Sequence, residues 1–402
     1  GSEMKNDSPF VIANNEALFG PPPAFTQGDP VLSIFIYEIA GYGSYSFDGF
    51  FRREDLAPFN DACRSNASLY CSNELAMVHV NADDPGSDYM IGVIAHEATH
   101  LALFGADANE EIWLEESFAE LAMAYSGYDD PGNIGAFADR PNVSLVSDAP
   151  VSYGACFLFG LYLFERLGAD AVRVIAGSSA NGIASISPAL SDGFAAFFRD
   201  WAAANVLDEP ALAGGRFGYM LYDVPDFSVG AFGSSLTKNL NVAPTATVIQ
   251  RTDWSLGPDV TMAVSYASDE VDVRVVVAAP EQDFVAPLDW GVEYELPQSI
   301  AQHPWLLIIT NANPEQAAAV SIEARFVDDP CCPTDDHILE GLDDPVEPPA
   351  DEAPVDEPPD EAPGDVSELE TIALDDAPEA DAAAEQVTNE GDDNGCGCTL
   401  QR

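Results

Sequence analysis

The sequence predicts an α+β protein, a unit with a small N-terminal sheet plus helices followed by an all-β sandwich and an acidic tail, and three observations predict it. Between Ser87 and about Val206, apolar residues recur at three- and four-residue spacing, the period of helices. Beyond Gly230 the period falls to that of strands. After Asp328 the composition narrows to Asp, Glu, Pro and Ala, with too few apolar groups to offset the entropy of ordering. A chain of 402 residues also exceeds one ordinary core, so two folded units plus non-globular segments are expected. The expected divisions are an extended lead-in over 1–30, a mixed unit over 31–228, a sandwich over 229–327 and a disordered tail over 328–402.

Taken in order, the lead-in is rich in Pro, Asn and Gly, with Pro21-Pro22-Pro23 inside it. Val31 to Ile39 has the β-branched and aromatic make-up of a strand, and Leu75 to Asn81 is a second. Four helices follow, at Tyr89 to Phe104, Glu110 to Tyr128, Val151 to Leu167 and Gly193 to Val206. Strands are then expected at Thr245 to Arg251, Val260 to Tyr266, Val271 to Ala278, Trp305 to Thr310 and Ala318 to Phe326. Trp254, Trp290 and Trp305 read as core residues of this β region, exposed binding aromatics being the other reading.

Charge excludes whole classes of partner. There are 69 acidic and 14 basic residues, a formal net charge of -55, and such a field repels nucleic acid and anionic membranes. From Asp328 onward 25 acidic residues face Arg402 alone, so the rest of the chain is acid-coated too. Lysine occurs only at Lys5 and Lys238. A Lys-poor, Asp-rich surface resembles that of proteins kept soluble in high salt, where screening removes self-repulsion. No run of 18 apolar residues occurs.

Seven cysteines form no zinc-ribbon spacing. Cys63 and Cys71 flank a short polar loop of a size that a disulfide closes, which points to an oxidising, extracytoplasmic compartment. Cys156 falls in an apolar helical pattern and reads as a buried thiol.

The chemistry concentrates in Ile94-Ala95-His96-Glu97-Ala98-Thr99-His100-Leu101. Two histidines four apart project from one helix face and can share a metal, for which neutral imidazole suits zinc. Glu97 sits beside them as a general base for a metal-activated water. The flanks are uncharged, so these polar residues stand in a core element where burial without a metal is costly. A catalytic zinc needs a third protein ligand and an open position. The acidic stretch carrying Glu110, Glu111, Glu115, Glu116 and Glu120 lies downstream and otherwise reads as a solvated face.

Within that stretch, Trp113-Leu114-Glu115-Glu116-Ser117-Phe118-Ala119-Glu120 resembles the third-ligand helix of the gluzincin metallopeptidases. The resemblance implies that Glu116 is the ligand and Glu120 an acidic residue orienting an imidazole N–H. Ser117 departs from the Gly usual after the glutamate ligand, which puts helix packing in question. Gly49-Phe50-Phe51 with Asp55, Ser72-Asn73-Glu74, and Met77 to Asn81 are similar to the segment before the zinc motif in hyicolysin-type peptidases. Tyr153 to Leu163 and Phe197 to Trp201 are similar to later helices of that family.

The likeness spans roughly Val31 to Val206 and implies a thermolysin-like catalytic domain over 31–228, bound zinc and a bacterial, secreted or cell-surface monomer. Gluzincins often place a Tyr on the next helix, which implies Tyr153 as a donor to the oxyanion, a first-turn core aromatic being the other reading. Tyr125 and Tyr128 are reserves. Leu75 to Asn81 is then the cleft's edge strand, pairing extended peptide or protein substrates by β-augmentation, with His79 lining it. The expected activity is that of a zinc endopeptidase; the alternative is a catalytically idle peptidase fold serving as a surface binding module. Gly395-Cys396-Gly397-Cys398 resembles the cysteine-bearing sorting tails of myxobacterial surface proteins.

Overall fold

The computed structural model describes residues 11–21, 32–40, 46–66, 69–147, 152–232, 236–252, 261–279, 282–296, 304–327 and 397–400. It is α+β. The expected disordered tail lies outside the described residues apart from 397–400, as do Trp254, Cys331, Cys332 and Cys396. Among the described residues no helix is long and apolar enough to cross a membrane.

The lead-in is not extended throughout, because Val11–Phe19 forms a helix, α1. Composition hid it: two asparagines disfavour helix locally, whereas Asn15, Leu18 and Phe19 fall at i, i+3 and i+4 and are all buried against the body. Tertiary packing supplies most of a short helix's stability.

The first sheet has β1 (Ser33–Tyr37), β2 (Ser46–Phe51) and β3 (Met77–Asn81) in the order β1-β3-β2, with β13 (Gly397–Leu400) beyond β2. β1 runs parallel to β3 and β2 antiparallel to it, so both Phe35 and Phe50 are in register with His79. β3 is therefore an interior strand and not the expected cleft edge, since its backbone is paired on both sides. Its alternation sends Val78 and Val80 onto Met90 and Val93 of α2 (Asp88–Ala106).

Helices α3 (Ile112–Tyr125), α4 (Pro131–Asp139), α5 (Tyr153–Ala176), α6 (Ile183–Ile186) and α7 (Gly193–Leu207) complete the helical region. The sequence pattern ends the α5 helix at Leu167, where Gly168 leaves helical geometry with φ 80°. Trp113, Phe118, Phe157, Phe159, Phe198 and Trp201 fill the main core between α3, α5 and α7.

The β region is two facing sheets. One has β5 (Thr237–Val242), β7 (Thr261–Ala267), β10 (Tyr294–Leu296) and β12 (Ala318–Val327). The other has β4 (Gly230–Ala231), β6 (Ala246–Thr252), β8 (Asp272–Ala279), β9 (Gln282–Leu288) and β11 (Trp305–Asn311). Val264, Val320 and Ile322 of the first meet Val275, Leu307 and Ile309 of the second in a shared apolar layer. Trp305 is buried there as expected, while Trp290 is 57% exposed. This region is joined to α7 by a third cluster, with Ala202, Ala203, Phe217, Val276 and Ile308, and by the Arg199–Asp272 and Arg274–Asp200 ion pairs.

Candidate metal centre

Helix α2 begins where the Ser87 hydroxyl accepts from the Met90 N–H, a side-chain N-cap. Its sequence is uncharged between Asp88 and His96, and residues 95–103 are all buried. Nine buried residues in a row enclose the helix on every side, so the motif lies in the interior. His96 and His100 stand one turn apart with ring centroids 4.9 Å from each other.

Helix α3 delivers the carboxylates. Glu116 lies 3.2 Å from His96 Nε2 through Oε2 and 3.7 Å from His100 Nε2 through Oε1. One donor atom from each of His96, His100 and Glu116 fits within a 4.8 Å cluster. Glu120, one turn on, places Oε1 3.6 Å from His96 Nδ1, behind the ring relative to Glu116. Glu110 and Glu111 point elsewhere: Glu110 accepts from the Gly182 N–H, and Glu111 from the Trp113 indole.

Ser117, which stands where the gluzincin pattern usually has Gly, is fully buried, and its hydroxyl donates to the Trp113 carbonyl at 2.8 Å. The close approach that a glycine there would serve is provided from the other side. Gly160 of α5 presses on the Ser117 backbone, and a Cβ at 160 would stand 2.2 Å from the Ser117 oxygen.

Tyr153 opens α5 and reaches the same cluster. Its ring lies near parallel to that of His96 at 6.5 Å, and its phenol is near enough to Glu116 to favour the ionised carboxylate. Tyr125 instead packs edge-on against Phe164, and Tyr128 lies over Gly92. His79 belongs to the opposite face of the sheet, where it bonds Asp55 at 2.8 Å and stacks on Phe50.

The roles of two residues went unread in the sequence. Gly49 on β2, quoted above only as part of the hyicolysin-like segment, lies so close to α2 that a Cβ would stand 2.9 Å from Glu97 Cγ and 2.7 Å from Val93 Cγ1. Asp130, buried at the N-cap of α4 where it accepts from the Asn133 N–H, adds negative charge felt by Glu120. Its Asp-Pro-Gly-Asn sequence is a recognisable helix start.

The electrostatics are those of buried, opposed charges. His96, His100, Glu97, Glu116 and Glu120 are at most 3% exposed. Burial opposes charge on His96, yet the Glu116 bond and charge, with Glu120 and Glu97, raise it to about 9. Burial drives His100 down to about 4, although Glu116 pulls the other way. For Glu116 burial favours the neutral acid, but His100, His96 and the nearby Tyr153 phenol outweigh it and hold the carboxyl below its ordinary range. Burial lifts Glu120 to about 8 against the pull of His96, with Asp130 adding to the rise.

Neither ring nitrogen of His100 makes a hydrogen bond, although both are buried. Orphaned buried donors and acceptors carry a desolvation cost, and a metal ion removes it. Two imidazoles and a carboxylate form a donor set that suits zinc.

No known family profile matches the chain, and no curated protein matches it. Among solved structures it is similar to PliG of Salmonella Typhimurium, a periplasmic inhibitor of g-type lysozyme, and to a mutant PliG-Ec from Escherichia coli. Each match has 13% identity and a TM-score of 0.19, covering 25% of this chain and 98% of the other. A likeness of that extent fixes neither fold nor activity.

Proposed function

We propose that the protein is an exported zinc endopeptidase with a thermolysin-like, gluzincin catalytic domain. The observation that carries this reading is the convergence of His96, His100 and Glu116 beside Glu97 in a buried acidic site. The Cys63–Cys71 disulfide, with Cα atoms 5.2 Å apart, supports an oxidising compartment.

His96, His100 and Glu116 hold the zinc, which when bound supplies polarisation of a water and of the scissile carbonyl. Glu97 takes the proton of the attacking water and passes it to the departing amine nitrogen, one carboxyl acting as base and then acid. Glu120, 3.6 Å from His96 Nδ1, stands where a carboxylate orients the imidazole by charge, leaving Nε2 as the ligand atom. The Tyr153 phenol, beside Glu116 and His96, donates to the oxyanion without ionising.

A second reading rests on enclosure. Structural zinc sites are closed, catalytic ones keep an open position, and His96 and Glu97 are both 0% exposed. That favours the idle fold, in which the metal braces a binding protein.

The two readings separate in one assay: casein hydrolysis by wild type, Glu97→Ala and chelated protein, at low and molar salt, with zinc quantified. Zinc-dependent cleavage lost in a zinc-loaded Glu97→Ala supports the peptidase. Stoichiometric zinc without cleavage at any salt supports the closed structural site.

A further inference from the structure

Helix α1 touches both helices that carry the proposed ligands. Leu18 and Phe19 enter the main core, and the Phe19 ring lies 5.6 Å from Phe118, two residues beyond Glu116. Asn14 donates to the Ser126 hydroxyl at the C-cap of α3.

The contact with α2 is more specific. Asn15 Nδ2 donates to the Ala95 carbonyl at 2.7 Å and to Thr99 Oγ1 at 3.0 Å. The Thr99 hydroxyl in turn donates to the same Ala95 carbonyl at 2.9 Å. Ala95 and Thr99 immediately precede His96 and His100, so one buried amide ties the backbone turn that sets the spacing and azimuth of both imidazoles.

The contact is retained at a cost. Asn15 is 3% exposed, and its Oδ1 has no hydrogen-bond partner. Leaving a buried acceptor unmatched is destabilising, whereas an apolar residue of the same shape avoids it. Polar groups that break the local rule in a core are expected where function needs a fixed geometry.

We propose that Asn15 is a positioning residue for the metal centre: α1 is a brace that locks α2 in the rotation at which His96 and His100 meet Glu116. The inference rests on the zinc reading above. A metal site loses affinity when its ligands are held loosely, and outer partners that orient ligands are worth about 10–100-fold.

The test is Asn15→Leu in the full chain, which keeps the side-chain shape and removes the unmatched oxygen together with the donor. Zinc affinity is read by competition with a chromophoric chelator, and ligand geometry by the visible spectrum of the Co2+-substituted protein. Expected are a zinc dissociation constant raised about tenfold or more and an altered Co2+ spectrum, with circular dichroism unchanged and thermal midpoint equal or higher. Thr99→Val shifts both readouts in the same direction.

A destabilising substitution remote from the site, Trp305→Phe, leaves zinc affinity and the Co2+ spectrum unchanged. Wild-type affinity and spectrum in Asn15→Leu overturn the brace alone. An equal loss of affinity in Trp305→Phe overturns it as well, by making the effect generic. Failure of the wild type to bind zinc overturns the underlying reading and the brace with it.

Discussion

Gly160 of α5 and Ser117 of α3 meet backbone to backbone, so closely that a Cβ on residue 160 would lie 2.2 Å from the Ser117 carbonyl oxygen. The residue pressed is the one after Glu116, so the crossing of α3 and α5 sets where that carboxylate points. Gly160→Ala cannot be absorbed by a side chain, because the obstacle is backbone. It is expected to destabilise by about 1–3 kcal/mol, read by denaturant unfolding, and to weaken zinc binding by displacing α3.

The two inward carboxylates of α3 are expected to differ in kind. Glu116→Gln removes the only carboxylate in the candidate ligand cluster and abolishes stoichiometric zinc. Glu120→Gln, on the far nitrogen of His96, weakens zinc by about 10–100-fold without preventing saturation. Chelator competition on both variants checks this, and equal losses would contradict the assignment.

Gly49→Ala probes the approach of β2 to α2. The added methyl meets the Val93 methyl Cγ1 and Cγ of Glu97, next to its carboxyl group, as well as the His79 carbonyl at 3.0 Å. Proteolysis is expected to fall with zinc retained, since the group displaced is the proposed base rather than a ligand. Paired zinc quantification and casein assays read the split.

Asp55 gives a pH dependence with a definite sign. Burial favours its neutral form, but bonds from His79 and Asn73 outweigh that and lower its pKa. A carboxyl with a depressed folded value stabilises above its unfolded value, and the contribution is lost as pH falls through the folded one. Stability should therefore decline on acidification below the ordinary carboxylate range, and Asp55→Asn should lower neutral-pH stability while flattening that decline. Urea midpoints from pH 7 to pH 2 check it.

The Cys63–Cys71 disulfide closes a loop carrying Tyr70, whose hydroxyl donates to Asp55, and Asn73, two residues after Cys71, donates twice to the same carboxylate. Cys63→Ser with Cys71→Ser is expected to cost about 2–3 kcal/mol from loop entropy, measurable as a lower denaturant midpoint. A larger loss, matched by Asp55→Asn, would locate the excess in the hydrogen bonds around Asp55.

The sequence by itself determined the four longest helices and the pairing of His96 with His100, because a four-residue step on a helix is local geometry that no distant contact alters. It also exposed strands wherever a β-branched or apolar run was clear, as in Met77 to Asn81 and Trp305 to Asn311. It did not reveal α1, whose asparagines read as loop until their partners Ala95, Thr99 and Ser126 are in place. Nor did it show that β3 is interior, since a strand's neighbours are chosen by pairing with Ser46–Phe51 across an intervening loop. Several glutamates crowd residues 110–120, and composition treats them alike. Only the packing of α3 against α2 and α5 decided that Glu116 and Glu120 turn inward to the histidines, because burying a carboxylate is favourable only where a partner from another element is already held to meet it.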